Sequence, residues 1–491
     1  MRTRTRLRPC TLLLAAALTT GLLTALPVTT ASAASAAPAK YADDFNGDGY
    51  RDLVTAAPGA TVGGKARAGA VVVSYGSKSG IKASNRTVVT QDSAGIPGTA
   101  QTDGGFGSAL AFGDLNRDGY ADLVVSAERH GDDAYGGAVV IVWGGKNGLS
   151  GGRAVADPDR TSHDYFGRSL AVGDFTGDGR ADLAVGSTGS DVQIFRGGFT
   201  RTGGAASRTW LDTDLEDGGV SGVACGGGAC SLAAGDFNGD GIDDLVINGT
   251  YDSWNSSPTV SGNIVYQGAS PTPEFERVLP TGGRHQVAVG DVNGDGHDDL
   301  IVSVTPGDVT GADGGSVRAY LGGPDGVSTT PQATITQDSP GVPGSSVGQN
   351  WFGDSLSVAD VNGDGYADVA VGAPHEAVGA VRQAGTVTLL RGSAAGLTGV
   401  GATRYTQNTP GVPDSDENTD LFGSAVRLAD LNGDHRADLA VGAQHENGGR
   451  GAVWSLRGSS SGLTTTGVVS FGATSVGVSG TGALLGSAFG Q

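Results

Sequence analysis

Residues 360–374 read Asp-Val-Asn-Gly-Asp-Gly-Tyr-Ala-Asp-Val-Ala-Val-Gly-Ala-Pro, a tight loop of alternating carboxylates and an amide followed by strand-forming residues. The pattern Asp-x-Asn-x-Asp-Gly-x-x-Asp occurs in seven copies, two of which deviate at one position. The copies begin at Asp44, Asp114, Asp174, Asp236, Asp291, Asp360 and Asp430. Repeats that recur along nearly the whole chain predict one structural unit used seven times, in place of the roughly three domains that length alone suggests.

Each copy contains the oxygen ligands that a hard cation needs. Ca²⁺ takes six to eight oxygen ligands, and a glycine allows the sharp turn that brings alternate side chains to one point. Strand-like runs such as Leu123-Val124-Val125 follow the ninth position at once, so the loops join strands and not the helices of an EF-hand. We predict up to seven Ca²⁺ sites, in which a backbone carbonyl, such as that of Tyr120, completes the ligand set. Metal-free turns of Asp and Asn are the alternative.

The predicted ligands occupy positions one, three, five and nine of each loop. They are Asp44, Asn46, Asp48 and Asp52; Asp114, Asn116, Asp118 and Asp122; Asp174, Thr176, Asp178 and Asp182; Asp236, Asn238, Asp240 and Asp244; Asp291, Asn293, Asp295 and Asp299; Asp360, Asn362, Asp364 and Asp368; and Asp430, Asn432, Asp434 and Asp438. Thr176 replaces an amide with a hydroxyl, and His435 replaces a glycine that a turn with positive φ would favour. We expect the third and seventh sites to be the weakest.

Charge agrees with bound cations. The formal net charge is -20, and three Asp side chains in each loop repel one another unless a cation lies between them. The remaining acidity argues against nucleic acid or an anionic membrane as a partner.

The chain begins with the features of a secretory signal peptide. Four arginines precede an apolar stretch from Leu12 to Leu26, and small residues near Ala33 and Ala36 suit cleavage. We predict a signal peptide at 1–36, a propeller domain at 37–491 and a secreted, extracellular protein; a membrane anchor is the alternative. In an oxidising compartment Cys225 and Cys230 are expected to form a local disulfide, and two free thiols are the alternative.

The residues around the loops also recur. Phe-Gly segments precede four of them, beginning at Phe106, Phe166, Phe352 and Phe422, and Gly372-Ala373-Pro374 follows the sixth. This combination resembles the FG-GAP repeat of integrin α-subunit propellers, in which each repeat is one four-stranded blade. The resemblance implies an all-β, seven-bladed β-propeller. Repeats four and five lack the Phe-Gly pair.

The ring is predicted to close through the C-terminal strand. The first loop has no Phe-Gly strand before it, whereas the segment 485–490 at the other end of the chain matches 107–110 in register. This C-terminal strand would complete the first blade and remove the exposed sheet edges of an open array.

The loops between second and third strands should lie on the face opposite the Asp loops. They contain the candidate ligand-binding residues Glu128, His130, Tyr135, Trp254, His375, Glu376, His445 and Glu446. Such side chains suit a carbohydrate or extracellular protein ligand, and solvated loop residues are the alternative reading. We predict a monomeric binding or adhesion module without catalytic residues. A secreted hydrolase or lyase with its site on this face is the alternative, although no nucleophile and base are coupled in sequence.

Overall fold

The protein folds into seven antiparallel β-sheets in a computed structural model. The structure describes residues 38–129, 136–160, 163–213, 229–251, 260–280, 286–304 and 314–490. Six sheets have four strands in chain order, and the first has three. The predicted signal peptide lies outside the described residues.

Each sheet takes its strands from one repeat. The first three blades contain β1 (Leu53–Ala57), β2 (Ala70–Ser74) and β3 (Arg86–Val89); β4 (Phe106–Gly113), β5 (Asp122–Ala127), β6 (Ala138–Val142) and β7 (Gly152–Val155); and β8 (Ser169–Gly173), β9 (Asp182–Gly186), β10 (Asp191–Phe195) and β11 (Arg208–Asp212). The next two contain β12 (Ala229–Gly235), β13 (Asp244–Tyr251), β14 (Val260–Gln267) and β15 (Glu274–Pro280); and β16 (Val287–Gly290), β17 (Asp299–Val304), β18 (Ser316–Tyr320) and β19 (Ala333–Ile335). The last two contain β20 (Ser355–Ala359), β21 (Asp368–Ala373), β22 (Thr386–Arg391) and β23 (Thr398–Tyr405); and β24 (Phe422–Ala429), β25 (Asp438–Ala443), β26 (Ala452–Ser459) and β27 (Gly462–Gly472).

The second strand of a blade is buried on both faces. Every residue of β5 is buried, because alternate side chains contact the preceding and the following blade. Leu123 and Val125 pack with Val54 and Val71 of the first blade, whereas Val124 packs with the third. A two-sided environment explains why the apolar runs after the Asp loops are continuous and not alternating.

The blades form a ring around a central channel. The innermost strand of each blade contacts that of the next, and residues from all seven blades line a cavity of about 220 Å³ on the axis. This arrangement confirms the predicted seven-bladed propeller.

The C-terminal segment closes the ring in the predicted register. Phe489 pairs antiparallel with Thr55 of β1. The N–H of Ala56 donates to the Ala488 carbonyl at 2.9 Å, and the N–H of Gly486 donates to the Ala56 carbonyl at 3.0 Å. The first blade therefore obtains its innermost strand from the opposite end of the chain.

The Phe-Gly pair marks a close crossing between consecutive blades. A Cβ atom on Gly69 would lie 2.2 Å from the backbone nitrogen of Phe106, so this position admits only glycine. At the closure, a Cβ on Gly451 would lie 2.1 Å from the carbonyl oxygen of Leu485. Leu485 thus occupies the place that phenylalanine takes in other blades.

Two short helical turns are found within the described part of the chain, α1 (Glu446–Gly449) and η1 (Ala473–Val476). No helix among these residues has the length and apolar character needed to cross a membrane.

Candidate metal centres

The seven Asp loops lie on one face of the ring, which we call the Asp-loop face. Six of them join the first and second strands of a blade, and the first loop precedes β1, whose inner neighbour is the C-terminal segment. Because strands alternate in direction, the loops between second and third strands and the connections between blades lie on the opposite face, the connection face.

Backbone N–H groups fix the carboxylates within each loop. In the first loop, Asp44 Oδ1 accepts hydrogen bonds from the N–H groups of Gly47 at 2.7 Å and Asp48 at 3.2 Å, and its Oδ2 accepts one from Gly49 at 2.9 Å. The N–H of Asp48 also donates to Asn46 Oδ1 at 2.9 Å. Copies of these bonds recur in the fourth, fifth and sixth loops, so the chain itself turns the side chains of positions one, three and five toward one region.

The ninth-position Asp is buried in all seven loops. Asp52 accepts hydrogen bonds from the N–H groups of Phe45 at 3.0 Å and Gly76 at 2.9 Å. Because Phe45 lies in the loop and Gly76 follows β2, Asp52 ties the loop to the end of β2. Among the described ion pairs, Asp368 is the one ninth-position carboxylate with a guanidinium partner, Arg391 Nη1 at 3.1 Å.

Burial opposes the negative charge at all seven ninth positions. It raises the pKa to about 8 for Asp52 and Asp122, about 7 for Asp244 and Asp438, and about 6 for Asp182, Asp299 and Asp368. Neighbouring loop carboxylates raise these pKa values further. A cation held by positions one, three, five and nine would offset both the burial and the repulsion between these carboxylates.

The two deviating loops differ in geometry as well as in sequence. In the third loop, Thr176 Oγ1 and Asp182 Oδ2 are buried, and the side chains of Thr176 and Asp182 contact each other. In the seventh loop, His435 has φ 64°, which confirms that its position requires a left-handed residue. Asn432 Nδ2 donates to both oxygens of Asp438 at 3.1 Å, whereas Asn46 donates to Asp48.

Sequence reasoning missed a buried ion pair beside the axis. Arg427 donates to Asp43 at 3.2 Å, and Arg51 donates to the same carboxylate at 2.8 Å. Arg427 and Ala42 line a second axial cavity, of about 240 Å³. The sequence signal was Arg427 itself, the one charged residue in the innermost strand β24.

The predicted ligand residues on the connection face have different environments. His130, Tyr135 and Trp254 lie outside the described residues, and so does Cys225, so the disulfide with Cys230 stays a prediction. Glu128 is half-buried, and its N–H donates to Ser108 Oγ at 3.0 Å.

A small aromatic surface joins the sixth and seventh blades on this face. His375 is half-buried, with its ring centroid 4.7 Å from that of Trp351, and its Nδ1 lies 3.0 Å from Gln383 Nε2. Burial and the nearby His445 lower the pKa of His375, and His445 is exposed. These side chains are available to a ligand.

The two glutamates predicted to face a ligand are buried instead. Glu376 is 5% exposed and Glu446 is 3% exposed. Each accepts a hydrogen bond at 2.7 Å from a buried glutamine, Gln337 and Gln407 respectively, in the connection that enters the same blade. Both carboxylates therefore make their hydrogen bonds within the protein and not to a surface ligand.

Comparison with known proteins gives the same repeats. The model of the FG-GAP repeat matches residues 42–74, 106–142, 166–207, 231–266, 284–320, 352–390 and 422–456, which include the fourth and fifth repeats despite their missing Phe-Gly pairs.

Two curated relatives match parts of the chain. Phosphatidylinositol-glycan-specific phospholipase D of Bos taurus is 37% identical over 147 residues, 29% of this chain and 17% of that protein. Integrin alpha pat-2 of Caenorhabditis elegans is 32% identical over 235 residues, 43% of this chain and 17% of that protein. This chain thus covers about a sixth of the length of each. A solved structure of the Dos1 propeller aligns over 79% of this chain and 78% of its own, with 12% identity and a TM-score of 0.41. Because the repeat matches cover more than half of the sequence, this chain belongs to the FG-GAP repeat family.

Proposed function

We propose that the seven Asp loops bind Ca²⁺ and that the ions are part of the fold. The observation that carries this proposal is the ninth-position carboxylate, which is buried in every loop next to three further oxygen-bearing side chains. In the first loop the ligands would be Asp44, Asn46, Asp48, Asp52 and the carbonyl of Tyr50. A bound ion would neutralise these carboxylates and hold the end of one strand to the start of the next.

The third loop supports the same proposal from a different observation. Burial of polar oxygens with few partners is costly, and Thr176 Oγ1 and Asp182 Oδ2 are buried with no partner beyond the contact between these two side chains. A cation would contact both oxygens. With a hydroxyl for an amide in this loop, and a strained His435 in the seventh, we propose these two as the weakest sites.

Calcium counting tests the proposal. Extracellular calcium modules bind with Kd of about 0.1–1 mM, and ligands that bind only the native state raise its stability. At about 1 mM free Ca²⁺, elemental analysis should find one ion fewer in Asp240→Ala, a smaller loss in Asp178→Ala of the third loop, and no loss in Asp325→Ala, an exposed acid outside the loops. A parent protein that binds no calcium and melts identically in excess chelator would refute it.

We further propose that the propeller is an extracellular binding module for a protein or carbohydrate. Segments similar to this chain occur in a protein named as an integrin and in one named as a phospholipase D, and each match covers 17% of that relative. A segment shared by proteins with such different names favours a general role such as binding over one particular reaction. On this chain the half-exposed surface of Trp351, His375 and His445 offers aromatic and imidazole groups on ordered loops.

Array screening of the purified protein against glycans and extracellular proteins tests this proposal. The double variant His375→Ala/His445→Ala should reduce binding at least tenfold. Val400→Ala, which changes a residue 69% exposed on an outermost strand, should leave it unchanged. Equal binding by both variants would place the ligand elsewhere.

Similarity to the phospholipase D favours a hydrolase as the second candidate. Assays on phosphatidylinositol-glycan, polysaccharide and ester substrates separate the two functions. Turnover that the parent shows and the double histidine variant lacks would support the hydrolase, and binding without turnover would support the module.

A further inference from the structure

Blades six and seven contain the same buried glutamine–glutamate pair on the connection face. In both, the glutamine Nε2 donates to a glutamate Oε2 at 2.7 Å across 39 residues of chain, from Gln337 to Glu376 and from Gln407 to Glu446. The two sites can therefore be compared position by position.

In blade six, the carboxylate of Glu376 has three hydrogen-bond donors, one of them a guanidinium. Glu376 accepts hydrogen bonds from Thr386 Oγ1 at 2.6 Å and from Arg404 Nη1 at 2.7 Å. The amide of Asn350 donates to Gln337 Oε1 at 2.9 Å. Every polar atom of the pair has a partner, and the guanidinium balances the buried charge.

In blade seven, all three of these partners are replaced. Strand pairing puts Ala452 at the position of Thr386 and Ser470 at the position of Arg404, and Asp420 takes the place of Asn350. The changes remove a hydroxyl, a cation and an amide donor, and they add a carboxylate.

The result is a group of acids without a counter-charge. Carboxylate oxygens of Glu417, Asp420 and Glu446 lie within 4.8 Å of one another, and the last two side chains are 3% exposed. None of the ion pairs found in the described ranges involves these three residues.

A second observation points to a ligand among these acids. The side chain of Gln407 is fully buried and reaches the group through its bond to Glu446. Its Oε1 is buried and accepts no hydrogen bond, whereas the matching oxygen of Gln337 is satisfied by Asn350. Three clustered carboxylates and an amide oxygen without a donor are the types of ligand that a hard cation prefers.

We propose that Gln407, Glu417, Asp420 and Glu446 form an additional Ca²⁺ site on the connection face, separate from the seven Asp loops. Ca²⁺ fits better than Mg²⁺, because it accepts irregular sets of carboxylate and amide oxygens, whereas Mg²⁺ requires an octahedron and retains its waters. The ion would do for blade seven what Arg404 does for blade six. It would also fix the connection 407–421, which Trp454 holds through a 2.9 Å bond from its Nε1 to the Pro413 carbonyl.

Counting bound calcium in the full secreted chain tests the site. Asp420→Asn restores the blade-six residue with little change in size, and at saturating Ca²⁺ it should bind one ion fewer than the parent. Glu446→Gln should show the same loss. Glu376→Gln, the matched change in blade six, should bind as many ions as the parent.

A second measurement guards against misfolding. In chelator, Asp420→Asn should melt no lower than the parent, because it removes like-charge repulsion, and its melting temperature should rise less on adding Ca²⁺. Equal calcium counts in the parent, Asp420→Asn and Glu446→Gln would overturn the proposal and indicate that the carboxylates share a proton. If the Asp loops bind no calcium, the number of bound ions should instead fall equally in the parent and in all variants, and the difference of one ion should remain.

Discussion

Phe489→Ala is the substitution that should weaken ring closure most specifically. Phe489 is 6% exposed and packs with Leu53 of the first blade and Val453 of the seventh. Its side chain therefore lies at the junction where these two blades close the ring. Truncating a buried phenylalanine costs about 3–5 kcal/mol, from lost transfer energy and the cavity left behind. Phe275→Ala, at a residue 60% exposed on β15, is the control and should cost about 1 kcal/mol or less.

Urea unfolding of the two variants and the parent, followed by circular dichroism, measures the difference. Hydrogen exchange adds a local readout, because the Ala56 amide donates to the Ala488 carbonyl in the closing pair. In Phe489→Ala this amide should exchange faster, while amides of β21 in the sixth blade keep their protection. Equal urea midpoints for Phe489→Ala and Phe275→Ala, with an unchanged exchange rate of the Ala56 amide, would show that the junction of the first and seventh blades does not contribute to stability.

Three further results are expected. In chelator, stability should fall as pH rises from about 4 to about 8, because burial raises the pKa of Asp52 from 3.8 to about 8 and the folded state then binds the proton more tightly; a flat melting-temperature profile would contradict this. His435→Gly should stabilise the seventh loop by about 1 kcal/mol by removing a left-handed histidine, and Gly365→His at the matching position should destabilise the sixth, both read from melting curves. Arg427→Ala should cost about 3–5 kcal/mol, because Asp43 is fully buried and would keep Arg51 alone as its ion-pair partner; Arg427→Lys should recover part of the loss in the same urea assay.

The local features of the fold could be predicted from sequence because their causes are local. The Asp loops, the turn glycines and the apolar runs after them depend on neighbouring residues, and seven copies make each signal unambiguous. Even the closing strand was readable, since 485–490 repeats the pattern of 107–110 at the end where a strand is surplus. The predicted calcium ligands and signal peptide remain predictions.

The tertiary structure decided which polar residues of the connection face are buried. In sequence, Glu376 and Glu446 look alike, each following a histidine in a loop between strands. Their environments differ because the partners of Glu376 come from residues 10, 28 and 39 positions away, and the seventh blade has lost three of the blade-six donors. Sequence alone determined the repeated blade and its acidic loops, whereas burial and charge balance between distant segments appeared only once the chain was folded. Local patterns encode turns and strands, but the energy of a buried charge depends on every group around it.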